Sequence, residues 1–241
     1  MPRLNNGQEI FRKLDKLEVF RAVATTPGDQ TITSAVAVGA STVPVAAITN
    51  FTANDPVFLI GSGGLELNRI GTPATTMPLL RKTGLAHLTG ARLLEAIATD
   101  FGHIDESGVV MSPSAALTAI PSALSALPVQ YISGVGEIGF NFNLLGFNLL
   151  NLCTIFGIPE AEQGAGTSGD PWQVFVSGAA MGTQGTQVIR ATGTRHDGLN
   201  IEVDFLDVRV EVQGSVTLNR NAPAVLPFAG KCTALAMRIF S

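Results

Sequence analysis

The side chains of this 241-residue sequence that could perform chemistry are three histidines, two cysteines and a scatter of carboxylates. His87, His103 and His196 fall in different parts of the chain, each beside turn-forming residues. His103 stands near Asp105 and Glu106, the one grouping a metal would consider. One imidazole and two neighbouring carboxylates fall short of a converging donor set, and a solvated turn explains them. His196, within Arg195-His196-Asp197-Gly198, is accounted for by turn preference. Cys153 and Cys232 are far apart, and neither belongs to a CxxC pair or a Cys/His cluster, so buried free thiols are expected rather than a disulfide. Gly61-Ser62-Gly63-Gly64 would cradle a phosphate only if a helix N-terminus followed, usually with a lysine. Leu65-Glu66-Leu67-Asn68 follows instead, and predicts a hairpin turn. With no G-x-S-x-G elbow, H-E-x-x-H or Walker loop, the sequence points to no enzyme, no cofactor and no metal.

Composition narrows the classes further. Charged residues make up 14% of the chain, against about 25% in ordinary soluble domains. So few charges leave a lone subunit short of polar cover, which points to large self-association surfaces. The net charge of −4 argues against a general affinity for nucleic-acid phosphates. The opening MPRLNNGQEIFRKLDKLEVF has no apolar run after its basic residues, so no secretory signal is expected and synthesis is placed in the cytoplasm.

The elements that must position these residues centre on 187–218. Ile201, Val203 and Phe205 alternate with polar residues, as in a strand with one buried face. His196-Asp197-Gly198 folds residues 188–194 and 199–205 into a hairpin. At Phe205-Leu206 the phase slips by one, since the apolar set continues as Leu206, Val208, Val210 and Val212, and a bulge or sheet-switching corner fits. By alternation Glu202, Asp204, Asp207 and Glu211 fall on a solvated face. Upstream, Ile10, Phe11, Leu14, Leu17 and Phe20 recur at helical spacing and predict an amphipathic helix or a docking arm. Three domains result: 1–28, an N-terminal arm or helix; 29–95, a small inserted β domain with strands at 31–38, 43–49 and 56–61 and a linker at 72–82; and 96–241, a β-sandwich. Residues 91–98 fit helix or strand equally. The closing segment 231–240 is apolar on both faces, as in a strand central to a sandwich or covered by another chain.

Between Glu106 and Glu160 the sole formal charge is Glu137. A membrane span at 138–159 has the required length, but Asn141, Asn143, Asn148 and Asn151 would be costly in hydrocarbon. Alternation of Ile138, Phe140, Phe142 and Leu144 instead predicts a strand over 129–144, then a short helix over 147–156 that stops at Gly157 and Pro159.

Three stretches, DFGHIDESGVVMSPS, GEIGFNFNLLGFNLLNLCTIFG, and VIRATGTRHDGLNIEVDFLDVRVEVQGSVTL followed by LPFAGKC, together resemble the tail tube (major tail) proteins of long-tailed bacteriophages over roughly Asp100 to the C-terminus. The resemblance implies a mainly β tail-tube fold, a β-sandwich with one short flanking helix. It also implies assembly into stacked hexameric rings whose strands join in an inner barrel through which DNA passes without being held. Other tail proteins would sit at the tube ends, and the protein would reside in the virion tail after assembly in the host cytoplasm. A lumen that lets DNA slide should present acids and amides. Glu137, Asn141 and Asn143, then Glu202 and Asp204, are the lumen-facing candidates. The segment before about residue 95 departs from the family pattern, and is expected outside the tube or between rings. Rival readings are a head-decoration or tail-terminator protein, or a secreted carbohydrate-binding sandwich. The last would want exposed aromatics, yet the chain has one Trp and one Tyr.

Overall fold

A computed structural model describes residues 13–22, 29–48, 51–73, 76–122, 125–145, 168, 186–195, 197–212 and 225–241. Every regular element among them is a β-strand: β1 (Lys13–Ala22), β2 (Asp29–Thr31), β3 (Thr42–Val43), β4 (Pro56–Gly61), β5 (Gly64–Arg69), β6 (Met77–Pro78), β7 (Arg92–Asp100), β8 (His103–Ser122), β9 (Ser125–Leu145), β10 (Gln187–Thr194), β11 (Asn200–Leu206), β12 (Arg209–Val212), β13 (Val225–Cys232) and β14 (Ala234–Phe240). A large antiparallel sheet runs β14-β11-β10-β1-β7-β4-β5, with β2 also on β7, and a second sheet runs β12-β13-β9-β8. The short strands β3 and β6 pair separately. The helix expected over 147–156, Cys153 and His196 lie outside the described residues.

The hairpin and the corner follow the sequence pattern. β10 and β11 pair with Ile189 opposite Phe205, and the turn closes with Arg195 N donating to Leu199 O at 2.8 Å. Asp207 at φ 50° is the phase slip: the chain leaves the large sheet there and enters the second. Val208 N donates to Gln187 O at 2.9 Å, and Thr233 N to Leu206 O at 3.1 Å where the chain crosses back. Between the sheets lies a core of Leu17, Val19, Ile189, Ala191, Ile201, Val203 and Phe205 from one side and Phe140, Phe142, Leu144, Leu226 and Phe228 from the other. Phenylalanine carries much of it, with Phe140 to Phe205 at 4.6 Å and Phe142 to Phe228 at 5.2 Å between centroids. Each such ring pair adds about 0.5–1.5 kcal/mol beyond burial. Gly230 faces the ring of Phe140, where a Cβ would lie 2.3 Å from Cζ.

The N-terminal segment corrects the expectation of a helix or arm. β1 is a central strand, paired with β10 on one side and β7 on the other. Its apolar residues serve two faces: Leu17 and Val19 enter the sandwich core, whereas Phe20 joins Phe58, Leu67, Leu94, Ala96, Val188 and Leu206 behind the sheet. A register shift between Leu14 and Lys16 changes the phase again. A strand buried on both faces and bulged once spaces its apolar residues much as a helix does.

Residues 29–93 contribute their own core of Ile32, Val36, Val43, Phe51, Val57, Leu59, Ile70, Met77, Leu79 and Leu93. Its order differs from expectation. Segments 31–38 and 43–49 are held mainly by the single bridges Ile32 to Val45 and Val36 to His87. The stretch read as a linker at 72–82 supplies β6 and the buried Met77 and Leu79. The glycine loop is a hairpin turn between β4 and β5, and a Cβ on Gly63 would lie 2.0 Å from Ala86 O. Because β4, β5 and β7 belong to the same sheet as β10 and β11, this unit and the sandwich share a backbone.

Candidate functional site

The large sheet curls until its two edge strands, β5 and β14, face each other. Arg238 of β14 donates from Nη2 to Leu67 O of β5 at 3.2 Å, and Leu65 and Ala236 pack against one apolar cluster. Inside the curl lies a chain of ion pairs. Arg190 donates from Nε to Asp204 Oδ1 at 2.6 Å and from Nη2 to Oδ2 at 2.9 Å, with Nη1 3.6 Å from Glu202 Oε2. Arg238 Nη1 also donates to Asp204 Oδ2, and Arg81 makes a two-point contact with Glu202. Arg190 lies over the Phe20 ring at 5.3 Å, and Arg81 over Phe240 at 5.7 Å. Burial alone would lower the Arg190 pKa; hydrogen bonds and charge from Asp204, with Glu202 and Glu18, outweigh it and hold the guanidinium above its ordinary value.

Two lumen-facing candidates are thereby corrected. Asp204 is 0% exposed and Glu202 7%, so neither presents a carboxylate to a channel, nor do they lie on a solvated face. Alternation placed them correctly opposite Ile201, Val203 and Phe205, but the curl and the 29–93 unit cover that side. Asn141 is exposed on β9. Asn143 is half-buried and donates from Nδ2 to Asp105 Oδ2 at 2.6 Å. Glu137 pairs through its backbone with Ser114 in β8. Of the five, Glu202 and Asp204 meet at Arg190, and Asn141 and Asn143 stand next but one on β9. The arginines were missed, although a signal existed: closing the hairpin at Thr194 and Asn200 sets Arg190 opposite Asp204.

His87, expected beside a turn, is fully buried with Nε2 3.5 Å from Glu66 Oε2. Glu66 also accepts from Gly84 N at 3.0 Å and Leu85 N at 3.2 Å. Burial pushes its carboxyl upward, but His87 and those two amides prevail and hold it below the ordinary 4.5. Cys232 is a buried free thiol, pushed up to about 11 by burial. Among the described residues no three His, Cys, Asp or Glu side chains converge on a metal position. No described helix is long and apolar enough to cross a membrane, and 138–145 of the charge-poor segment is strand.

Between β5 and β14 a cleft of about 470 Å³ opens, walled by Leu65, Leu67, Leu85, Leu235 and Met237, with Lys82 at its rim. Leu235 and Met237 are 39% and 44% exposed on an edge strand. No protein-family model matches the chain, and no curated protein sequence matches it.

Proposed function

We propose that this chain is a structural subunit that assembles with copies of itself, and that the assembly is the tail tube of a long-tailed bacteriophage: hexameric rings stacked into a conduit for DNA. The observation that carries self-assembly is the pair of sheet edges that no described strand covers, one of them bearing exposed Leu235 and Met237, in a chain so poor in charge. Free edges invite strand pairing, and proteins that keep them usually block them with charge or cover them with another chain. The assignment to a tail tube rests on the order of the three motifs that resemble that family. The reading requires no catalytic group, cofactor or metal.

Negative-stain microscopy of the purified protein tests it. Six-fold rings or tubes are expected, whereas a monodisperse monomer at high concentration and in virion-like salt refutes assembly. Particles of another shape would retain self-association and reject the tube.

A further inference from the structure

β8 and β9 form a hairpin far longer than the sandwich needs. β13 pairs with β9 only from Ile138 to Leu145, and β8 covers the same stretch from the other side. From the pair Ser114 and Glu137 onward, through to Ser122 and Ser125, the two strands pair only with each other among the described residues. Nine residues of β8 lie in that extension, a reach of roughly 30 Å at about 3.3 Å per residue, comparable to the width of a small domain. A two-stranded ribbon alone is marginal in water. Between Glu106 and Glu137 the sequence contains no charged side chain, so the ribbon lacks the charge that usually protects an exposed edge and is interrupted only by Pro121 and Pro128.

The same chain carries a complementary vacancy. The cleft of about 470 Å³ has an edge strand on each side, β5 and β14, each with one side that no other described strand pairs. Its apolar wall is Leu65, Leu67, Leu206, Leu235 and Met237. Of the charges beside it, Glu66 is engaged by Gly84 and Leu85 and Arg238 by Asp204 and Leu67, which leaves Lys82 at the rim. A charged peptide would find little to neutralise it, whereas an uncharged strand can hydrogen-bond to an open edge and bury its apolar side chains.

We infer that the cleft between β5 and β14 receives the extended β8–β9 hairpin of a second copy, so that each subunit donates a ribbon and accepts one. Such a head-to-tail contact is heterologous and closes into a ring when the rotation permits. The inference rests on the self-assembly reading and specifies the contact that produces it.

Cross-linking between two differently labelled chains tests the contact. One chain carries Met237→Cys, at an exposed edge position, and the other carries cysteine singly at residues 115–120, both with Cys153→Ser. Met237 is replaced by Val38→Cys, 64% exposed on the 29–93 unit, in the control. The mixed chains are assembled, then oxidised. A disulfide-linked heterodimer band with Met237→Cys, absent with Val38→Cys, is expected. Assembled particles with no such band, or with equal bands for both, overturn the inference and leave self-assembly standing. Monomers that melt like the parent protein and never cross-link defeat both.

Discussion

Removing the Asp204 carboxylate should expose how the curled sheet is held. Asp204 is completely buried between Arg190, 3% exposed, and Arg238 of the edge strand. The network sets three guanidinium groups, from Arg81, Arg190 and Arg238, against two carboxylates, from Glu202 and Asp204. Asp204→Ala leaves Arg190 with Glu202, at 3.6 Å, and the charge of Glu18, and strips Arg238 of its carboxylate. Breaking a buried pair from one side costs about 3–5 kcal/mol, because the surviving charge stays desolvated. With a urea slope of about 2 kcal/mol per molar, the midpoint should fall by roughly 1.5–2.5 M with the slope unchanged. Asp29→Ala is the contrast: it removes the partner of Arg92, 55% exposed in its side chain, and such a surface pair is worth about 0–1 kcal/mol.

A double-mutant cycle with Arg190→Leu separates the pair from its desolvation. If the cost of Asp204→Ala is mostly an orphaned Arg190, the double variant should recover a large part of it. A midpoint for Asp204→Ala within about 0.5 M of the parent, about 1 kcal/mol on that slope, would refute the claim that these ion pairs hold the curl.

Three further outcomes are expected. Because the folded Glu66 carboxyl titrates below 4.5, its contribution is complete above that value and is lost as pH falls through the folded pKa. The urea midpoint of Glu66→Gln should therefore lie below the parent's at about pH 6 and approach it as pH falls through the folded pKa; a gap constant with pH counts against the assignment. Gly230→Ala should destabilise by about 1–3 kcal/mol by calorimetry, because its Cβ must displace a Phe140 ring packed on Phe205, and an unchanged melting temperature would contradict that packing. In assembled particles Glu137→Lys should retard DNA passage while leaving particle shape unaltered, and normal ejection would remove Glu137 from the conduit surface.

What was legible in the sequence is what two-residue periodicity and turn chemistry encode locally. The β10–β11 hairpin follows from alternation and Asp197-Gly198, and the corner at Asp207 from a one-residue slip of apolar phase. β1 was illegible because both its faces are buried and a bulge shifts its register, which leaves Leu14, Leu17 and Phe20 at helical spacing. Glu202 and Asp204 were assigned to the right face but the wrong environment, since strand alternation says which side a residue takes and not what covers it. That cover comes from residues 29–93, which fold onto the same sheet through β4, β5 and β7. The apparent linker was misjudged for a related reason: Met77, Leu79 and Arg81 are anchored by long-range contacts that proline and threonine punctuation does not reveal.

The burial of Glu202 and Asp204 also narrows where a conduit surface can be. One side of the large sheet is filled by the Phe20 cluster and the arginine network, and the other is covered by the second sheet and by the 29–93 core. The outward side of the β12-β13-β9-β8 sheet is the broad open face among the described residues. There the register aligns Glu211, Ala229, Asn141 and Val110 in one row across four strands, with Glu211, Asn141 and Val110 exposed. On the proposed tube this row, not the β11 acids, is the surface that meets DNA. It is not uniformly repelling, because Arg209 and Lys231 face each other two residues away and Arg209 contacts Asp207 at 3.2 Å. Sliding would then depend on amides and sparse, mixed charge that gives phosphate nowhere to settle, rather than on a strongly acidic wall.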